Sequence, residues 1–226
     1  MAEILFPALF LEQWRFYLAD PVKHWKTGYS AKALAYCWHE AQGFPKEVKS
    51  VLTAAGNPFS GLEPLVILPE HKVSLPGGPT ASQSDIWILA KSENQLFSIA
   101  VEGKVSESFG EPVNHWILED LKGKQERLEF LLKKLGIQSD FDKTIRYQLL
   151  HRTASAVIEA ERFLATHAMV IIHSFSPTNE WFEDFAKFVS LFGSKPEVNS
   201  LVSAKLPNGM PLHFAWIHGN EEYLEK

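Results

Sequence analysis

The chain has 226 residues, 46% of them apolar and 22% charged, and carries a net charge of −5. That size and balance describe one domain with a substantial buried core, and they exclude a disordered or membrane-embedded chain. The negative total also excludes a general attraction to nucleic acid or anionic lipid, so a polyanionic partner would have to meet a local basic patch.

At the N-terminus, Met1 to Pro7 has no basic region, and Glu12 and Arg15 interrupt the apolar residues beyond it. No signal peptide is expected, and a cytoplasmic location follows. Phe10, Leu11, Trp14, Tyr17 and Leu18 recur at helical spacing, which predicts a covering helix ended by Asp20-Pro21. A second helix has Ser30 as its N-cap, Ala31, Leu34, Ala35 and Trp38 on one stripe, and Gly43 as its stop. Glu40 falls on a second stripe of this helix, which predicts a carboxylate held near the core. Cys37, the single cysteine, rules out an internal disulfide framework and any multi-cysteine zinc site, and reads as a buried helical thiol. Pro45 to Ala55 predicts a third, short helix stopped by Gly56-Asn57-Pro58.

From Glu63 the period changes. Leu65 to Leu68 and Val73 to Leu75 read as β-runs broken by Pro69, followed by a Pro76-Gly77-Gly78-Pro79 loop that lacks the features of a phosphate-binding loop. Ser84 to Lys104 then reads as a hairpin. Asp85 opens its first strand, Ser92, Glu93 and Asn94 make the turn, and Glu102-Gly103-Lys104 ends an apolar second strand. Val105 to Pro112 is a loop, and Trp116 to Leu135 a charged amphipathic helix. Ile145 to Thr166 is the longest predicted helix, with Gln148 and Arg152 one turn apart on its polar side. Ala168 to Phe175 is wholly apolar, as a central strand covered on both faces should be. A helix from Asn179 to Phe192, strands at Leu201 to Lys205 and Pro211 to His218 about Pro207-Asn208-Gly209, and a frayed polar tail from Asn220 complete the chain. The order implies a three-layer α/β/α domain with a mixed central sheet over residues 1–226.

The hairpin places Asp85, Glu102 and Lys104 at one sheet end. Two carboxylates brought together out of water repel each other and lose hydration, a cost that a metal ion or a cationic partner offsets. A helix, a three-stranded meander with Asp at the start of its second strand and Glu-x-Lys at the end of its third, then a helix and a strand, resembles the PD-(D/E)xK nuclease superfamily. The resemblance spans about residues 30–175 and implies a restriction-endonuclease-like core (α-β-β-β-α-β) with extra helices and a C-terminal hairpin. It implies Asp85 and Glu102 as ligands of Mg2+ or Mn2+, with Gly103 offering its carbonyl and Lys104 positioning the attacking water. Glu40 would match the acidic residue many members carry on the first core helix, and Gln148 the glutamine on the helix after the motif. Ser84 stands where the family usually has proline. The run Glu107-Ser108-Phe109-Gly110 with Trp116 also resembles bacterial families of unassigned activity placed on this fold.

The expected function is a magnesium-dependent nuclease acting on DNA or RNA, with Arg152 and Lys124 as substrate-binding cations. The alternative is a non-catalytic nucleic-acid- or protein-binding member of the fold with a structural charge cluster. Lys122, Lys124, Arg127, Lys133 and Lys134 read either as a solvated helix face or as a phosphate-binding strip. His39-Glu40 lacks the second histidine of a zinc protease, and neither a nucleophile elbow nor a dinucleotide glycine fingerprint is present. No membrane partner is expected, and monomer and homodimer both stay open.

Overall fold

A computed structural model describes residues 3–4, 10–18, 20–118 and 122–226. Most of Met1 to Pro7, where no signal peptide was expected, and residues 119–121 of the helix predicted from Trp116 lie outside them. The chain forms a seven-stranded mixed sheet of β1 (Glu3–Ile4), β2 (Glu63–Val73), β3 (Ser82–Ser92), β4 (Gln95–Lys104), β5 (His167–Ser174), β6 (Ser200–Lys205) and β7 (Pro211–His218), in spatial order β1-β2-β3-β4-β5-β7-β6. The meander β2-β3-β4 and the pair β6-β7 are antiparallel, while β4-β5 and β5-β7 are parallel.

Helices cover both faces. On one side α2 (Ser30–Ala41) and α3 (Lys46–Ala54) bury Leu34, Trp38, Val48 and Leu52 against Ile86, Ile99 and Ile171. On the other, α5 (Lys122–Leu135), α6 (Tyr147–Arg162) and α7 (Phe182–Ser190) bury Leu131, Ala154, Val157 and Phe185 against Ala100, Val170 and Phe214. All eight residues of β5 are buried, which is why its sequence is almost continuously apolar. No helix among the described residues is long and apolar enough to cross a membrane.

Several local expectations are corrected. The first predicted helix is a 3-10 helix, Leu11–Tyr17. Asp20-Pro21 starts rather than ends an element: Asp20 accepts the Lys23 N–H and caps α1 (Pro21–His24), with proline suited to the first turn. The two β-runs are one strand, β2, that continues through Pro69. Strand β1 pairs β2 only at Val66 and Ile67, so that edge has no described neighbour waiting for a proline N–H. The segment predicted as one helix from Trp116 is α4 (Val113–Trp116) and the separate α5. Ser30 is not the N-cap of α2. Tyr29 is, and the Ser30 N–H and hydroxyl donate to the distant Glu107 carboxylate at 3.0 and 2.8 Å. The left-handed stop of α2 is Gln42, with φ of 49°, rather than Gly43. The tail is not frayed but forms a 3-10 helix, Glu221–Glu225, in which Tyr223 and Leu224 pack against the α2 side of the core.

Candidate metal and phosphate site

Side chains alternate along a strand, and β4 shows the consequence. Glu102 and Lys104 project toward α6, while a Cβ on the intervening Gly103 would stand 3.2 Å from Leu34 Cδ2 on α2 and 3.5 Å from Asp85 Oδ2. Glycine is therefore the residue that lets Leu34 of α2 pack closely onto β4, while the Asp85 contact would be an ordinary one. The ladder between β3 and β4 ends at Ile86↔Val101, and beyond it the Gly103 N–H donates to Asp85 Oδ2 at 2.8 Å. The N–H and C=O of one strand residue point to the same edge, so the Gly103 carbonyl also faces the Asp85 side.

The first turns of α6 and α2 close the site. Gln148 donates to Glu102 Oε1 at 2.6 Å and accepts from Lys104 Nζ at 3.4 Å, and Lys104 Nζ lies 3.2 Å from the same Glu102 oxygen. Arg152 Nε donates to Glu102 Oε2 at 2.6 Å, and another of its nitrogens reaches Ser82 Oγ at 3.2 Å. Lys104 Nζ also stands 4.8 Å above the Phe109 ring. Asp85, Glu102, Gly103, Lys104, Gln148 and Arg152 line one cavity of about 340 Å3, together with Glu70, Gln83, Glu107 and, from the N-terminal segment, His24, Ser30 and Ala31.

Electrostatics separates the two motif carboxylates. Burial pushes both up, but Arg152 and Lys104 outweigh it at Glu102 and hold that carboxyl below its ordinary value. At Asp85, which neither cation touches directly, burial followed by the Glu102 charge outweighs Arg152, Lys104 and the Gly103 N–H and pushes the carboxyl up to about 7. Glu70, raised by burial and then by Asp85, is a third carboxylate that sequence reasoning missed. It sits between the pairs Pro69↔Ile86 and His71↔Ser84, opposite Asp85, and accepts from Gln83 Nε2 at 2.6 Å. Its φ of 51° is a left-handed conformation uncommon for glutamate, and such conformations concentrate at functional sites.

The expected site is thus assembled in part. Asp85, Glu102, Gly103, Lys104, Gln148 and Arg152 converge. Glu40 does not: it is exposed on the last turn of α2 and accepts the Tyr223 hydroxyl at 3.1 Å, because its stripe faces the C-terminal 3-10 helix rather than the sheet end. Lys124 also lies outside the cavity lining, its ammonium bonded to the Trp116 carbonyl at 2.9 Å. Arg127 is structural, bonding the Pro76 and Gly78 carbonyls, and Lys134 pairs with Glu161. The five cations of α5 therefore do not form one strip along the site.

Among the described residues the one set of three ligand-type side chains within 4.8 Å of one another is elsewhere: Cys37, Glu47 and His173. The Trp38 indole N–H donates to His173 Nδ1 at 3.1 Å, so the neutral ring carries its proton on Nε2 and offers no lone pair there. Burial also pushes the Cys37 thiol far up, so the set is a poor ligand group as it stands.

The family model described as "Domain of unknown function (DUF6946)" matches residues 7–221. No curated protein and no solved structure matches the chain.

Proposed function

The chain belongs to that family, and from the arrangement of its own residues we propose that it is a metal-dependent phosphodiesterase with a restriction-endonuclease-like core, similar to the PD-(D/E)xK nucleases. The observation that carries the reading is the convergence of Asp85, Glu102, Lys104 and Gln148 in one cavity from β3, β4 and α6.

The donor set fits magnesium or manganese. Asp85, the Gly103 carbonyl and Glu70 offer hard oxygens, with Glu102 beside them, and magnesium takes one or two carboxylates while keeping several waters. Asp85 Oδ1 and Glu70 Oε1 have no hydrogen-bond partner among the described residues. When bound, the ion would stabilise charge on a phosphate and lower the pKa of its water. The chain's own groups do the rest. Lys104, fixed by Glu102 and Gln148, orients the attacking water and stabilises negative charge on the phosphate oxygens. Gln148 positions both partners through its amide. Arg152 neutralises Glu102, so the charge that Asp85 leaves uncompensated is the one available to the ion.

Titration calorimetry with manganese tests the reading: the wild type should bind, and Asp85→Asn should not. Lys104→Ala should stay folded and lose about 10²-fold or more of its manganese-dependent cleavage. No binding by the wild type, or unchanged cleavage by Lys104→Ala, would sink it. One observation favours the alternative of a non-catalytic charge cluster: both Glu102 oxygens are already engaged by protein groups. On that reading manganese would not bind at all.

A further inference from the structure

In a chain that is acidic overall, one segment beside the cavity carries more cations than carboxylates. Between residues 10 and 32 there are four cations, Arg15, Lys23, Lys26 and Lys32, against two carboxylates, Glu12 and Asp20, in a chain whose net charge is −5. Both carboxylates are occupied locally. Glu12 accepts from Trp25 Nε1 at 3.3 Å and from the Tyr36 hydroxyl at 3.1 Å, and Asp20 caps α1. None of the four cations has an ion-pair partner among the described residues.

Three of the four, Arg15, Lys26 and Lys32, stand over aromatic rings. Arg15 lies 5.0 Å above the Phe16 ring, and Lys26 5.8 Å above that of Tyr29. Those rings are exposed, Phe16 at 66% and Tyr29 at 40%. The segment is continuous with the cavity: His24 and Ser30 line it, and Gln83 Nε2 bonds both the Tyr17 carbonyl and Glu70.

We infer that this segment, from the 3-10 helix at Leu11–Tyr17 to the start of α2, is a docking strip for single-stranded nucleic acid, with Phe16 and Tyr29 stacking bases and Arg15, Lys23 and Lys26 holding phosphates. Exposed rings paired with cations match a strand whose bases are unstacked, and a duplex offers no such base faces. The strip also resolves the charge problem of the site, since an acidic cavity on an acidic chain repels a polyanion unless a local basic surface holds it. The inference rests on the phosphodiesterase reading for where the strand leads, and not for whether it binds.

The test is fluorescence anisotropy of the full chain in chelator at low salt, with a labelled oligothymidylate and with a duplex of the same length. The single strand should bind more tightly. Tyr29→Ala should weaken it by about fivefold or more, the usual effect of losing a stacked base. The double change Lys23→Glu and Lys26→Glu should flatten the slope of log affinity against log salt by about 1.4. Both variants alter exposed positions, and thermal melts check that they fold. A duplex bound as tightly as the single strand, or wild-type binding by both variants, overturns the inference. Strip-dependent binding without metal-dependent cleavage keeps the strip and removes the phosphodiesterase reading, whereas cleavage of single strands with unchanged KM in both variants does the reverse.

Discussion

Asp85 is held in a state that its surroundings do not fully compensate. Arg152, Lys104 and the Gly103 N–H steady it only in part, while burial and the Glu102 charge push its carboxyl up to about 7, so at higher pH the folded chain carries a carboxylate that costs free energy. The neutral amide of Asn keeps an acceptor for the Gly103 N–H and removes that charge. In chelator, above pH 7, Asp85→Asn should therefore be more stable than the wild type by about 1–3 kcal/mol in urea unfolding. A less stable Asn variant would mean that the protein already satisfies the carboxylate, and the need for a cation would go with it. Glu70 shows what a sequence hides at this scale. Nothing in its neighbours sets it apart from a surface glutamate, and only a left-handed backbone in an otherwise extended strand turns it toward Asp85.

Among the elements, α2 depends on a residue far away in the chain. A helix start leaves backbone N–H groups without partners, and here Glu107 takes the Ser30 N–H and hydroxyl and also the Val105 N–H. Burial pushes Glu107 up, but these donors together hold it below the ordinary carboxylate range. Its contribution is thus present above that range and is lost as the pH falls through the lowered value. Glu107→Ala should cost about 1–2 kcal/mol at neutral pH, with a difference from wild type that shrinks in acid. An equal difference at both pH values would show that packing, not the charged cap, holds α2. The capping serine expected at Ser30 lies one position too far along, because local pattern cannot reveal a cap supplied by a distant loop.

Over the whole molecule, buried histidines set the response to acid. Burial pushes His173 and His213 down to about 3, and lowers His151 and His167 as well. Below about pH 6.5 the unfolded chain takes up protons that the folded one refuses, so stability should fall from there toward pH 3. Asp85 and Glu70 act in the opposite sense, since their raised carboxyls take up protons in the folded state first. The histidines outnumber them, and the net thermal midpoint should drop between pH 7 and 5, more steeply in Asp85→Asn than in wild type. A flat profile, or a shallower one in the variant, would contradict this assignment.

The sequence by itself determined the α/β class, the meander, the central strand β5 and the last hairpin, because apolar periodicity and turn residues are local properties of the chain. It also placed Asp85, Glu102 and Lys104 at one sheet end through the same periodicity, whereas Gln148 entered as a site residue only through the resemblance to the nuclease superfamily. The tertiary structure alone decided which charges meet. Glu40 left the site and Glu70 entered it, since the rotation of α2 and a left-handed residue in β2 are settled by packing between elements. Arg152 became a partner of Glu102, and the two carboxylates of the N-terminal segment were tied up locally while Arg15, Lys23 and Lys26 stayed exposed. Charge is counted along a chain, but it acts through distances that only folding creates.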